Sequence, residues 1–145
     1  MGTQNSAVPV KIKLKSAIQH PGQESDKYEL EINGTIVEKA GNRYLRYEEE
    51  QNRETIKTMI KLDPADALIM RTGAVQMRLP FELNGSKPGT YANGPLSLDL
   101  QVETKALTIH GERTKGKFHV HYDMHSEKSL LGSYELTIHY AEGTL

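Results

Sequence analysis

A strict alternation of apolar and polar residues near the start of the chain constrains its fold more than any other feature. Apolar residues occupy every second position from Val8 to Leu14, while Lys11, Lys13 and Lys15 have the opposite parity. A β-strand sends successive side chains to opposite faces, so this pattern gives one apolar face and one charged face. A helix would spread the same residues around all sides. The segment is therefore predicted to be a half-buried strand.

The same alternation returns along the rest of the chain, where clusters of Gly, Asn and Pro interrupt it. The further alternating segments are Tyr28–Ile32, Ile56–Leu62, Val75–Leu83, Leu96–Glu103, Phe118–Met124 and Tyr134–Tyr140. The predicted turns are His20–Gly22, Ala40–Asn42, Asn84-Gly85, Asn93–Pro95 and Lys115-Gly116. Asn33-Gly34 fits either a hairpin or a bulge inside a long strand, because Ile32 and Ile36 share parity across it.

These strands predict an all-β fold, a closed antiparallel barrel of about eight to ten strands. A sandwich would also alternate, but several strands are long, and closure removes the exposed edges that promote aggregation. The best helical candidate is a single turn at Asp63–Ala67, with Asp63 as N-cap and Pro64 in the first helical position. We expect residues 1–145 to form one domain.

Composition excludes several classes of function. The chain contains no cysteine, which rules out disulfides, thiolate metal sites and cysteine nucleophiles. Its net charge of −1 shows no basic excess, so no nucleic-acid partner is expected. No stretch approaches the roughly 20 apolar residues of a membrane-spanning helix, and Met1–Val10 lacks the apolar core of a signal peptide. We therefore expect a cytoplasmic protein without a membrane partner.

A series of short motifs, in the same order along nearly the whole chain, resembles the YwiB-like family of small bacterial proteins. The motifs are Val10–Ser16, Tyr47–Glu49, Ile60–Leu62, Arg71–Val75, Met77–Leu79, Phe81, Tyr91, Gly116 and Tyr122–Met124. The resemblance implies a calycin-like β-barrel, similar in outline to lipocalins and fatty-acid-binding proteins. It implies no reaction and no ligand.

Polar residues on the apolar parity are the candidates for a ligand-binding lumen, since ligand pockets are apolar with a few polar groups that orient the ligand. They are Ser16, Tyr28, Tyr47, Glu49, Thr58, Thr104, Tyr122, Tyr134 and Tyr140. Arg71 joins them if the strand continues straight from Ile69; otherwise it lies in water at the Thr72-Gly73 turn. The predicted ligand-binding residues are Tyr47, Glu49, Arg71 and Tyr122.

Other clusters of polar residues predict less. His119 and His121 share the polar face of one strand, and form a histidine-rich surface with His110 and His139 if their strands are neighbours. The lysines of the first strand form a stripe with two interpretations: a surface for RNA or an acidic partner, or an exposed strand face on which they pair across strands with Glu29 and Glu31. No nucleophile elbow, phosphate loop or dinucleotide motif is present. We predict no catalytic residue, no metal site and no cofactor.

The predicted function is non-enzymatic binding of a small amphipathic or anionic ligand in the lumen or mouth of the barrel. The alternative is a protein-interaction or regulatory module with a packed interior. A connected cavity of about 300 Å³ or more, with Arg71 or Glu49 in its wall, favours the binding protein. The sequence leaves open whether the protein is a monomer or a dimer.

Overall fold

The structure is a computed structural model that describes residues 6–112 and 114–145. These residues form ten β-strands: β1 Ser6–Gln19, β2 Asp26–Lys39, β3 Asn42–Gln51, β4 Glu54–Lys61, β5 Ala67–Gly73, β6 Gln76–Phe81, β7 Ser86–Asn93, β8 Leu96–Gly111, β9 Lys115–Ser126 and β10 Ser129–Glu142. Each strand pairs antiparallel with the next, and β1 pairs with β10 to close a barrel. The predicted all-β closed antiparallel barrel is confirmed, whereas its calycin-like character stays a prediction. No helix in the described ranges is long and apolar enough to cross a membrane.

The structure resolves the three local features that the sequence left open or misplaced. Asn33-Gly34 lies inside β2, whose register with β1 continues through it without a shift. Asp63 begins a turn in which its side chain accepts a hydrogen bond from the Ala65 amide at 3.0 Å, and the chain forms no helix there. The turn predicted at Lys115-Gly116 is wrong, because these residues begin β9.

The reason for Gly116 is packing rather than turn geometry. Gly116 lies directly opposite Tyr140 on β10. A Cβ atom on Gly116 would lie among the phenol atoms of Tyr140, too close for van der Waals contact. Glycine is therefore required at this position so that the Tyr140 side chain can cover the strand.

The two ends of the barrel are filled differently. The end where β2–β3, β4–β5, β6–β7 and β8–β9 are connected is called the closed half, and Val10, Leu45 and Phe118 are fully buried there. Arg43 spans this end by donating hydrogen bonds to the Glu112 carbonyl at 2.7 Å and the Gly111 carbonyl at 3.3 Å. The opposite end, where β1–β2, β3–β4, β5–β6, β7–β8 and β9–β10 are connected, is called the mouth.

Lysines on the outer face of β1 pair with carboxylates on β2. Lys13 Nζ lies 3.8 Å from Glu31 Oε1, and Lys15 Nζ lies 3.7 Å from Glu29 Oε1. The expected cross-strand pairing is confirmed. All four side chains are exposed, so each pair contributes at most about 1 kcal/mol to stability.

A β-bulge on β8 brings a lysine onto a buried carboxylate of β9. The register of β8 against β9 shifts between Thr104 and Ala106, at Lys105. Lys105 Nζ lies 3.0 Å from Asp123 Oδ2, and Ser133 Oγ donates a hydrogen bond to Asp123 Oδ1 at 2.6 Å. Burial acts to raise the pKa of Asp123, but the contacts with Ser133 and Lys105 together outweigh it and hold that pKa below its usual range.

Replacing Asp123 with asparagine is expected to lower the free energy of unfolding at neutral pH by about 1–3 kcal/mol, the usual contribution of hydrogen bonds to a charged group. Because the folded-state pKa of Asp123 is depressed, its stabilisation is complete above the unfolded-state pKa of about 4. It is lost as the pH falls through the lower folded-state pKa. The free energies of unfolding of wild type and variant, measured with urea, should therefore approach each other as the pH falls below about 4.

Asp99→Asn is the matched control, because Asp99 is exposed on the outer face of β8. This substitution is expected to change stability by less than about 0.5 kcal/mol. A difference between wild type and Asp123→Asn that stays constant into the acidic range would contradict the assigned role of the Asp123 charge.

Candidate ligand-binding site

A cavity of about 340 Å³ lies at the mouth of the barrel. Its volume falls within the range of roughly 300–1,000 Å³ that is typical of small-molecule sites. Its wall is formed mostly by apolar and aromatic side chains of β1 and β5–β10, among them Met77, Leu98 and Met124. These residues face inward by the same alternation that fills the closed half, but at the mouth they do not meet in the centre.

The wall carries positive charge on its inner side. Among the described residues that line the cavity, Arg71 is the one cation and Glu135 the one carboxylate. Glu135 has the outward parity of β10, and its Oε2 lies 2.7 Å from His119 Nε2 on the outer face. That contact holds the pKa of Glu135 below its usual range. Glu135 is thus engaged outside the barrel, and Arg71 sets the charge of the cavity.

Arg71 keeps the inward parity of β5 and lies directly opposite Thr58 on β4 and Met77 on β6. It is half-buried, and its Nε atom is buried without a hydrogen-bond partner among the described residues. No carboxylate in the described part of the chain forms an ion pair with it. Even partial burial of a charge that has no partner costs free energy.

Tyr122 is the second predicted residue that lies in the cavity wall. Its ring stacks on Tyr134 with centroids 5.2 Å apart and packs at an angle against Phe81 at 5.0 Å. Burial strongly raises the pKa of the Tyr122 phenol, which is therefore neutral at physiological pH. Tyr122 offers a ligand an aromatic surface with a neutral hydroxyl.

Tyr47 lies outside the cavity wall, on β3, and is almost fully buried. Burial is the largest influence on its pKa and raises it, while the positive charge of Arg71 opposes that shift. The Thr58 and Arg71 side chains lie close to the Tyr47 hydroxyl, and both lower its pKa. The geometry of these contacts nevertheless falls short of a hydrogen bond, and the Tyr47 hydroxyl has no partner among the described residues. The three groups are therefore close but unbonded.

Glu49 lies at a break in the barrel wall. Pairing of β2 with β3 joins only residues 34–39 to residues 42–47, so the mouth-side parts of the two strands separate. Tyr28 Oη donates a long hydrogen bond of 3.4 Å to Glu49 Oε2 across this separation. Partial withdrawal of the Tyr28 phenol from water raises its pKa, and the charge of Glu49 raises that pKa further. Glu49 is therefore beside the cavity and not in its wall.

The separation begins at Gly34, where the backbone of β2 lies close to the backbone of β3. A Cβ atom at Gly34 would lie 2.5 Å from the Arg46 carbonyl oxygen and 2.5 Å from Ile12 Cδ1. Glycine permits this contact, because it has no side chain to displace the neighbouring backbone. On the mouth side of Gly34, β2 remains paired with β1, and β3 remains paired with β4.

The predicted residues thus form a group around Arg71, with two in the wall and two behind or beside it. Sequence reasoning missed the apolar part of the wall, such as Met77 and Leu98, which alternation cannot distinguish from core. It also gave no special role to Thr58, although Thr58 had the inward parity. The signal that identifies Thr58 is its register opposite Tyr47 and Arg71, which only the sheet provides.

The strands that carry the histidines of the predicted histidine-rich surface, β8, β9 and β10, are neighbours, and the histidines lie on their outer face. His110 and His139 both lie opposite Lys117 on β9, a cation that disfavours binding of a metal ion beside it. In residues 6–112 and 114–145, no three His, Asp or Glu side chains are placed so that they could hold a metal ion.

Comparison with known proteins identifies the family. Residues 12–138 match the family described as a domain of unknown function, DUF1934. Over 136 residues the chain is 30% identical to the uncharacterized β-barrel protein YwiB of Bacillus subtilis (strain 168). The aligned region covers 94% of this chain and 95% of that protein. The crystal structure of the ywiB protein from Bacillus subtilis is similar, with a TM-score of 0.84, 30% identity, and coverage of 95% of this chain and 94% of that one. The chain therefore belongs to the YwiB-like family of β-barrel proteins and carries the domain of unknown function DUF1934.

Proposed function

We propose that this protein binds a small amphipathic anion in the mouth cavity. The observation that carries the proposal is Arg71, a half-buried cation that forms no ion pair with a carboxylate of the described residues and lies in the wall of a mostly apolar cavity. The apolar part of the ligand lies among side chains such as Leu98 and Met124. Its charged group is directed toward Arg71.

The energetic argument has two parts. Removing the apolar part of a ligand from water contributes about 25 cal/mol for each Å² buried, and the apolar wall supplies the complementary surface. A guanidinium that is partly withdrawn from water gains more from an anion than an exposed one does, because the local dielectric constant is lower. Both contributions require one molecule that has an apolar part and an anionic group.

Exposed apolar side chains on the rim favour a second candidate, a protein-interaction module. Tyr28, Leu96 and Leu130 are exposed although they are large and apolar. Such residues also mark surfaces that dock on a partner. A protein-interaction module would have a packed interior throughout. The closed half is packed in this way, whereas the mouth contains the cavity.

A pair of tryptophan substitutions separates the two candidates. Leu98 faces the cavity, and its neighbour Ser97 is exposed on the outer face of β8. Leu98→Trp fills part of the cavity, so we expect it to weaken binding of anilinonaphthalene sulfonate about tenfold or more. Ser97→Trp introduces the same side chain outside and is expected to leave binding unchanged. Fluorescence titration measures both affinities.

Dye binding that Leu98→Trp does not weaken would place the dye outside the cavity and refute the proposed function. The wild-type protein contains no tryptophan, so each variant also has a single intrinsic indole fluorophore. Quenching of this indole by energy transfer to the dye reports, in both variants, whether the dye is bound near β8. Native mass spectrometry of protein purified from its own host then identifies the natural ligand.

A further inference from the structure

Three neighbouring side chains form a row across the interior of β3, β4 and β5. Tyr47 lies directly opposite Thr58, and Thr58 lies directly opposite Arg71. Each carries a buried polar atom without a hydrogen-bond partner among the described residues, namely Tyr47 Oη, Thr58 Oγ1 and Arg71 Nε. Buried polar atoms are nearly always paired in folded proteins, so three unpaired ones side by side indicate a site.

All three atoms carry a hydrogen that can be donated. Burial raises the pKa of Tyr47, so its hydroxyl keeps its proton at neutral pH. The Thr58 hydroxyl and the Arg71 Nε–H group are permanent donors. If Arg71 donated to Tyr47 and Tyr47 to Thr58, the hydrogen of Thr58 would still lack an acceptor within the row. The row therefore needs an acceptor from outside it.

We propose that the row of Tyr47, Thr58 and Arg71 is a subsite for an oxyanion, the carboxylate, sulfonate or phosphate group of the ligand. This inference rests on the proposed function and assigns the end of the ligand that the row binds. Arg71 belongs both to the row and to the cavity wall, so the apolar part of the same ligand continues into the cavity. An oxyanion has several acceptor oxygens and can therefore accept hydrogen bonds from three donors that lie side by side in one row.

Glu49 is the one charged group that opposes an anion here among the residues acting on Tyr47. Its negative charge raises the pKa of Tyr47, so it lies within electrostatic reach of the row. Its carboxylate accepts a hydrogen bond from Tyr28 at the separation between β2 and β3. The row offers an anion the positive charge of Arg71 and, in addition, three hydrogen-bond donors. Together these outweigh the repulsion of the anion by Glu49.

The chain supplies matched controls for both hydroxyls. Tyr47 and Tyr140 are each 3% exposed, Thr58 is 2% and Thr104 1% exposed, and all four hydroxyls lack a partner among the described residues. We expect Tyr47→Phe and Thr58→Val each to weaken anilinonaphthalene sulfonate binding about fivefold to tenfold. Binding of the uncharged phenylnaphthylamine should change by less than about twofold. Tyr140→Phe and Thr104→Val should leave both dyes unaffected.

Thermal melting distinguishes a binding role from a structural one. Removing an unpaired buried hydroxyl is expected to leave the melting temperature unchanged or to raise it, in all four variants. If Tyr47→Phe and Thr58→Val lower the melting temperature and leave sulfonate binding intact, the row is structural and the subsite is refuted.

The remaining outcomes separate the subsite from the proposed function. If only Arg71→Met weakens sulfonate binding selectively, the anion binds Arg71 alone; the subsite is then refuted and the proposed function stands. If the row variants weaken both dyes equally, the row shapes the cavity and does not bind the anion. If Arg71→Met also leaves sulfonate binding unchanged, both the subsite and the proposed function are refuted.

Discussion

Replacing Arg71 with methionine is expected to weaken binding of anilinonaphthalene sulfonate at least about tenfold. A charge-assisted hydrogen bond contributes about 1.5–3 kcal/mol, and each 1.4 kcal/mol is a factor of ten in affinity. Methionine has a similar length and an apolar side chain that suits its position opposite Met77, so we expect the cavity to retain its shape. Binding of uncharged phenylnaphthylamine should therefore be preserved. Fluorescence titration of the two dyes in parallel measures the difference.

Three further variants control this experiment. Arg78→Met makes the same change on the exposed outer face of β6 and should have no effect. Arg71→Lys keeps the charge without the planar guanidinium and should recover part of the affinity. Glu49→Gln removes a negative charge near the site and should strengthen sulfonate binding about threefold, as expected for charges several ångströms apart in a water-like dielectric.

The unliganded Arg71→Met variant should be at least as stable as the wild type. It removes a half-buried cation that has no carboxylate partner in the described residues, and functional groups of this kind often reduce stability. Equal loss of both dyes would show that Arg71 acts through the shape of the cavity. That outcome would contradict the proposed charge recognition.

Replacing Phe118 with alanine is expected to lower the free energy of unfolding by about 3–5 kcal/mol. Phe118 is fully buried in the closed half, opposite Ile109 on β8 and Ile138 on β10. Its removal leaves a cavity that the surrounding strands cannot fill, because they are fixed in a closed sheet. Urea unfolding measures this loss of stability, provided that wild type and variant have the same m-value.

Leu98→Ala is the comparison at the mouth. Leu98 is half-buried and already borders a cavity, so its truncation should cost about 1 kcal/mol. Phe118→Ala should leave the affinity for the sulfonate dye unchanged wherever the variant is folded, whereas Leu98→Ala should reduce it. Equal stability losses at the two positions would contradict the assignment of stability to the closed half and of binding to the mouth.

The orientation of Arg71 illustrates why the sequence left two alternatives. Thr72-Gly73 is a turn signal, which allowed Arg71 to lie in water. In the structure β5 continues to Gly73, and Gly73 adopts a positive φ of 101° where its backbone lies against the Thr55 carbonyl. The turn therefore starts after Gly73, and Arg71 keeps the inward parity of Ile69. A shift of one residue in the turn would have reversed the result.

The candidate subsite was not predictable for a related reason. Tyr47, Thr58 and Arg71 each had the inward parity, but parity does not say which residues on different strands face each other. Their alignment depends on the register of two hairpins, which turn length and packing decide together. The separation of β2 from β3 is likewise a property of long-range pairing, and nothing in the alternation of Tyr28–Ile32 marks it.

The alternation that begins at Val8 by itself determined that the chain is a β-protein and which face of each strand is buried. The physical reason is local, since successive side chains of a strand point in opposite directions whatever the strand pairs with. Only the tertiary structure decided that the interior is packed around Phe118 and open around Arg71. The volume left inside a barrel depends on the side chains of ten strands at once, and no local pattern records that sum.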